Sequence, residues 1–377
     1  MSDERRLTGK YAPTMNILIV KLSAIGDVIH TLPALTGLRR HYPDARIDWL
    51  VEDTSADLLQ GHAALSRALV WRRREFIRFL KAGRFPSAAR LFLELLLELR
   101  GTRYDLIIDF QALLKSSLWI FLARGRRKAG FGPGMEHSEK SHLFLNERVP
   151  AVSMEVHALD RGLVLLKALG IPDMPVLYGL PIAAEEEQAA QQLLASKGLR
   201  PDRPFVAINP VAKWPTKLWL PQRFRELVER LLKDGFQVVF TGSREDQPLI
   251  DEMVDSLGPS VIRLDGLTTL KVLAAVYRSA AVVVSTDTGP MHLAAAVGTP
   301  VVALFGPTAP WRTGPYGKGH QVLRAGVGCS PCLSRSCKTA DLEPMACMAQ
   351  IAVEQVAEAV ARAAADRESR AGHCEKR

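Results

Sequence analysis

The chain has 377 residues, suited to two domains of ordinary size rather than to one core. With 47% hydrophobic and 24% charged residues it reads as a globular protein, neither fibrous nor intrinsically disordered. The net charge of +9 favours polyanionic partners, either a phosphorylated substrate or an anionic membrane face; no groove-reading motif is present, so nucleic acid is not expected as a partner.

Residues 1–14 are polar and lack the apolar stretch of a secretory signal, so they read as a disordered tail; either Met1 or Met15 can serve as the start. The first apolar run, residues 16–22, is short and bounded by turn residues, as expected of a buried parallel strand. A loop at 23–26 leads into a helix predicted for 27–40. Strands are predicted at 46–51 and 104–110, the latter entered from a helix over 88–100. That helix carries the most apolar segment, 91–99, but Glu94 and Glu98 interrupt it and it is too short to cross a bilayer. A cytoplasmic protein with five reduced cysteines is expected. The alternation of strand and helix implies a doubly wound parallel sheet.

A Pro- and Gly-rich stretch at 172–181 interrupts the pattern, which then restarts, so domains of 15–180 and 181–377 are expected. Strands are predicted at 205–209, 237–242, 281–285 and 300–305, with a helix over 221–233 and an Ala-rich helix before the polar C-terminal end. In the segment STDTGPMHLA, residues 285–294, a strand runs directly into Asp287, Thr288 and Gly289, and Pro290 opens a helix. Free N–H groups at such a helix start suit a diphosphate, although an ordinary strand-to-helix turn has the same look. The dinucleotide fingerprint is absent after the first strand and no P-loop occurs anywhere.

Four passages in order resemble the ADP-heptose:lipopolysaccharide heptosyltransferases (glycosyltransferase family 9), most closely those adding the first heptose. They are ILIVKLSAIGDVIHTLPAL at 17–35, DFQALLKS at 109–116, KLWLP at 217–221, and TDTGPMHL at 286–293 continued by FGPT at 305–308. The resemblance implies a GT-B fold, two facing Rossmann-like α/β domains with an acceptor site in the first and an ADP-heptose site in the second. It implies an inverting reaction that transfers L-glycero-D-manno-heptose to the Kdo sugar of a Kdo-lipid A acceptor at the cytoplasmic face of the inner membrane. Addition of a later heptose, modification of a protein such as an autotransporter, an epimerase of the same fold and an inactive nucleotide-sugar binder are the alternatives.

By this resemblance Asp27 is the catalytic base, although Asp is also favoured as a helix N-cap. Lys217, Asp287, Thr288, Gly289 and His292 are expected at the donor. Asp246, preferred over Glu245, would hold the ribose, and Thr268 or its neighbour Leu267 would meet the adenine. Lys21, Ser23, Gln111 and Lys115 are expected on the acceptor side, with Arg72, Arg73, Arg74 and Arg124 as anion-binding forks; runs such as 72–74 and 124–128 are more commonly solvated surface. No carboxylate pair or histidine cluster with metal spacing lies near these motifs, so no cofactor is expected in catalysis. Cys329, Cys332, Cys337 and Cys347 have spacing compatible with a structural zinc or iron site, or with buried thiols or a labile disulfide.

Overall fold

Runs of β-branched and aliphatic residues, too short for helices, alternate with amphipathic segments, and each run becomes a buried parallel strand. The computed structural model describes residues 15–136, 139–338 and 343–374; the tail expected at 1–14 lies outside them. In chain order the elements are β1 (Asn16–Val20), α1 (Ile25–His41), β2 (Arg46–Glu52), β3 (Arg67–Trp71), α2 (Arg73–Lys81), α3 (Phe85–Arg100), β4 (Tyr104–Asp109), α4 (Leu114–Leu122), β5 (Gly125–Phe131), β6 (Glu147–Val149), α5 (Ala158–Ala168) and α6 (Ala184–Ser196). There follow β7 (Phe205–Asn209), α7 (Pro221–Lys233), β8 (Gln237–Phe240), α8 (Gln247–Val254), β9 (Val261–Arg263), α9 (Leu270–Ser279), β10 (Val282–Thr286), α10 (Gly289–Ala296), β11 (Val301–Leu304), α11 (Pro310–Thr313), β12 (Gln321–Leu323), α12 (Ala346–Ala349) and α13 (Val353–Cys374).

The strands form two six-stranded, all-parallel sheets, ordered β3-β2-β1-β4-β5-β6 and β12-β11-β10-β7-β8-β9. Read from its own first strand, the second sheet repeats the order of the first, so both halves are Rossmann-like. Each has a switch point where the strand order reverses, between β1 and β4 and between β7 and β10. Ligands of open α/β sheets bind beyond the C-terminal strand ends at such points.

One apolar cluster runs from Ile17, Ile19 and Leu35 in the first half to Met291, Leu293 and Phe305 in the second. It carries α1 against α10. The far faces of the sheets have cores of their own, one under α3 and α4 and the other under α7 and α13. The halves also meet through polar contacts: Asp57 accepts from the Lys271 amide at 3.1 Å, and Tyr316 donates to Asp160 at 2.8 Å.

Two readings of basic residues change here. The run at 124–128 leads into and forms much of β5, where Arg127 pairs bidentately with Glu147 at 2.7 Å. The triplet at 72–74 stands at the start of α2, with Arg72 at the N-cap and Arg73 and Arg74 in the first turn.

Candidate active site

The first switch point is organised by a buried carboxylate. Asp109, at the end of β4, accepts the amides of Gln111 and Ala112, both at 3.0 Å, and burial pushes its pKa up to about 6. Gln111 is thereby aimed at the loop after β1, where its Oε1 accepts from the amides of Leu22 (3.0 Å) and Ser23 (3.2 Å). Lys21 is buried and donates to the Phe110 carbonyl at 3.1 Å. Lys115, from α4, donates to the Ser23 hydroxyl and pairs with Glu52 at 3.2 Å. Glu52 also faces Arg73 at 3.9 Å.

Asp27 occupies the third position of α1, not its N-cap: the helix starts at Ile25 and the Asp27 Oδ2 accepts the Ala24 amide at 2.9 Å. Its Oδ1 lies 3.6 Å from the Lys21 Nζ, and its side chain is 46% exposed to the cleft. A carboxylate held at one oxygen by a helix-start amide, with the other near an ammonium and the side chain half-exposed, can accept a proton from a bound hydroxyl.

Across the cleft, β10 ends at Thr286, Asp287 follows it directly, and α10 begins at Gly289, one residue before Pro290. Lys217 Nζ donates to Asp287 Oδ2 at 2.6 Å and to the Asp287 carbonyl at 3.2 Å, and it lies 4.7 Å from the Trp214 ring centroid. The two loops touch. A Cβ on Gly289 would stand 3.0 Å from the Ile25 Cβ, and one on Gly26 would stand 2.5 Å from the His292 Cδ2. Gly26 leaves no room for a side chain and Gly289 leaves little, and across this contact Asp27, Asp287 and Lys217 all lie near enough to His292 to act on its charge.

A family model, glycosyltransferase family 9 (heptosyltransferase), matches residues 92–342. Lipopolysaccharide heptosyltransferase 1 of Pseudomonas aeruginosa is 33% identical over 330 residues, covering 86% of this chain and 87% of that one. The enzyme of the same name from Escherichia coli K12 is 30% identical, covering 82% and 94%. The chain is a family 9 heptosyltransferase. In structure it resembles E. coli heptosyltransferase WaaC solved with ADP, at 28% identity and a TM-score of 0.74, over 93% of this chain and 100% of that one. The fold is therefore GT-B, and the heptosyltransferase is a glycosyl-transferring enzyme of lipopolysaccharide biosynthesis.

The other expected site residues of the heptosyltransferase fall out unequally. Asp246 lies beyond β8, and its Oδ2 accepts both the amide (2.7 Å) and the hydroxyl (2.6 Å) of Ser243. Leu267 and Thr268 lie beyond β9, beside it, because the Gly266 amide donates to the Gly242 carbonyl at 2.9 Å. Leu267 is 49% exposed, so the apolar surface of that loop is offered by Leu267 rather than Thr268. Thr288 precedes α10 and its hydroxyl caps nothing. Arg72 pairs with Glu94 at 2.8 Å and Arg74 is exposed. Arg124 is not brought to the cleft: it precedes β5, its carbonyl accepts the Tyr104 amide at the start of β4, and so it stands at the opposite end of the sheet from Lys21 and Ser23.

His292 is buried rather than free to meet a ligand on both sides. Its Nδ1 lies 3.0 Å from the His30 Nε2 of α1, and the His157 ring lies 5.1 Å from that of His30. No motif signals this grouping of three histidines, since the positions are brought together only by docking of the halves. Burial lowers the pKa of His292 to about 4 and that of His30 well below its ordinary value. In the unfolded chain both titrate near 6.5. Between that value and about 4 the unfolded state binds more protons, so stability falls as pH falls. Asp109 works in the opposite direction, between 3.8 and about 6, but it is one group against two. The melting temperature should therefore drop steadily from pH 7 to pH 5, and His292→Gln should flatten the slope. A pH-independent melting temperature in the native protein would contradict a neutral buried pair.

The four cysteines of the cluster follow β12. Among the described residues no three His, Cys, Asp or Glu side chains form a group that could hold a metal ion, although Cys329, Cys332 and Cys337 are near enough to help raise the pKa of Cys347, after burial. Cys332 and Cys337 are exposed on an irregular segment. That segment is not remote from the chemistry. The Ser334 carbonyl accepts from Thr216 at 2.8 Å, next to Lys217, and Arg335 lies 5.2 Å from the Trp214 ring centroid.

Proposed function

We propose that the protein transfers L-glycero-D-manno-heptose from ADP-heptose to the Kdo sugar of a Kdo-lipid A acceptor, with inversion. The observation that carries this is the half-exposed Asp27 set across the cleft from the Lys217–Asp287 pair, at the touching switch points of two Rossmann-like halves. The donor's diphosphate would lie over the start of α10 with Lys217, its ribose toward Asp246 and its adenine against Leu267. Asp27 takes the proton of the acceptor hydroxyl as its oxygen attacks the anomeric carbon. The bond to the ADP oxygen breaks, and Lys217 and the α10 amides hold the departing diphosphate. One base and no protein nucleophile give inversion. The similarity to heptosyltransferase 1 relatives favours the first heptose.

The test is ADP release from ADP-heptose with acceptors that end either in Kdo or in a first heptose. Turnover is expected with the former alone; turnover only with the latter would overturn the assignment. Replacing Arg72 and Arg73 together by Ala should raise the KM for acceptor far more than that for donor, and an equal rise in both would remove these arginines from the acceptor site. Lys217 and the helix start supply the positive charge that the leaving group needs, so the proposed mechanism uses no divalent cation. EDTA should leave turnover intact; loss of turnover restored by Mg²⁺ would contradict that.

We further propose that the protein works at an anionic membrane surface on the cytoplasmic side, where a lipid-linked acceptor resides. No helix among the described residues is long and apolar enough to cross a membrane.

A further inference from the structure

The layer of helices on the far side of the first sheet is unlike the rest of the molecule. Its inner faces meet in an aromatic cluster. Trp71 of β3 lies 4.9 Å from Phe76 of α2 and 5.1 Å from Trp119 of α4, and Trp119 lies 5.2 Å from Phe92 of α3. Its outer faces also carry large exposed apolar side chains. On α4, Leu114, Leu118 and Phe121 are exposed at a spacing of four and three residues, a single stripe on a helix. Leu143 and Phe144 continue it, with the Phe121 and Phe144 rings 6.2 Å apart. On α3, Leu93 and Leu97 are exposed one turn apart, Leu97 at 72%; Leu80 near the end of α2 and Phe85 at the start of α3 are exposed too, the latter at 64%. α2 has no buried residue at all. Scattered exposed leucines need no explanation, but an apolar face spread over three adjacent helices does.

Charge identifies the occupant. Between Arg72 and Lys128 the sequence has fourteen Lys and Arg against five Asp and Glu, a surplus of nine that equals the net charge of the whole chain. The acidic residues of α3 are already neutralised: Glu94 pairs with Arg72 and Arg90, both at 2.8 Å, and Glu98 pairs with Arg67 at 3.3 Å. Among the described residues Arg74, Lys81, Arg84, Arg100, Arg103 and Arg124 have no acidic partner. A basic rim around exposed Leu and Phe on amphipathic helices matches a surface of anionic headgroups over acyl chains.

We infer that the outer face of α2, α3 and α4 docks on an anionic lipid bilayer, with Leu97, Leu118 and Phe121 entering the interface and the basic rim lying on the headgroups. This deepens the proposed membrane association and rests on it. The geometry links the face to the reaction. Leu114, at the top of the α4 stripe, adjoins Lys115, which donates to Ser23 in the Asp27 loop. An acceptor anchored in that bilayer is thus delivered at the end of α4 nearest the base. It also gives Arg124 a role in the rim that its distance from the cleft denies it in the site.

The test is flotation of the full-length protein with vesicles that contain neither donor nor acceptor. It compares phosphatidylethanolamine with phosphatidylglycerol against pure phosphatidylcholine, with Leu118→Glu/Phe121→Glu and Leu93→Glu/Leu97→Glu variants checked by circular dichroism. The native protein should float with the anionic vesicles and release in high salt. Each double variant should float at least about tenfold less, while still turning over an acceptor dispersed in detergent. Unchanged flotation of both variants, or equal flotation with phosphatidylcholine, would overturn the inference. So would variants that dissociate an oligomer in size-exclusion chromatography and leave flotation untouched, because the face would then join copies of the chain. Flotation involves no transfer chemistry, so failure of the detergent assay with the native protein would refute the proposed reaction and leave the docking result standing.

Discussion

Asp27→Asn should lower kcat by at least about two orders of magnitude, the usual span of general-base catalysis being roughly 10² to 10⁴. Donor affinity and melting temperature should hardly move. The acceptor hydroxyl is a weak nucleophile at neutral pH, and its proton becomes acidic only as the new bond forms, so the base must already be in place. Asp27 meets that need because its Oδ2 is fixed on the Ala24 amide while the side chain stays 46% exposed. Asparagine keeps an oxygen for that amide and its place in the first turn, and loses only charge and basicity. The substitution therefore separates catalysis from helix closure. Glu52, the other carboxylate nearby, is buried and held by Lys115 and Arg73, so Glu52→Gln should act mainly by loosening Ser23 and cost less. Retention of most of kcat in Asp27→Asn would reduce Asp27 to a helix-closing residue.

Lys217→Ala should weaken ADP binding by about ten- to a hundredfold, since a hydrogen bond to a charged group contributes about 1.5–3 kcal/mol. It should also destabilise the fold, because Asp287 is only 6% exposed and would lose its partner. Adding Asp287→Ala separates the two effects. The double variant removes both charges, so melting temperature should recover towards that of the native protein while ADP affinity stays low. Asp287→Ala alone should weaken ADP-heptose binding, because Lys217 then loses the anchor at 2.6 Å that aims it. Calorimetry and thermal unfolding on the three variants are sufficient; recovery of affinity along with stability would show that Lys217 serves the fold and not the donor.

How much of this was legible before the structure depended on whether a residue's partners were local. The strands β1, β7, β10 and β11 are short, mainly apolar and buried runs that announce themselves, and β2 and β4 remain recognisable although Asp48 and Asp105 interrupt them. The strands β5 and β6 do not, because Arg126, Arg127 and Lys128 mask one and the other is only three residues long; Glu147 on β6, the neighbour that neutralises Arg127, lies 20 residues away. The residues around Asp27, Lys217 and Asp287 were found through short contiguous motifs. Glu52, Trp214, His30 and His157 were not, since each acquires its meaning from a partner in another element or the other half. The cysteine spacing left a metal site, buried thiols and a labile disulfide open, and it gave no hint that the segment braces the loop carrying Lys217. Arg124 failed for a directional reason: a parallel sheet has two ends, and a basic run read from sequence does not say which one it occupies.

The central claim is that the two facing halves catalyse a single inverting heptosyl transfer. Incubation with ADP-heptose and a Kdo-terminated lipid A acceptor, followed by mass spectrometry and anomeric NMR of the product, tests it most directly. One added heptose, with an anomeric configuration opposite to that of the donor, is the predicted result. No added mass, or a product that retains the donor's configuration, would contradict it.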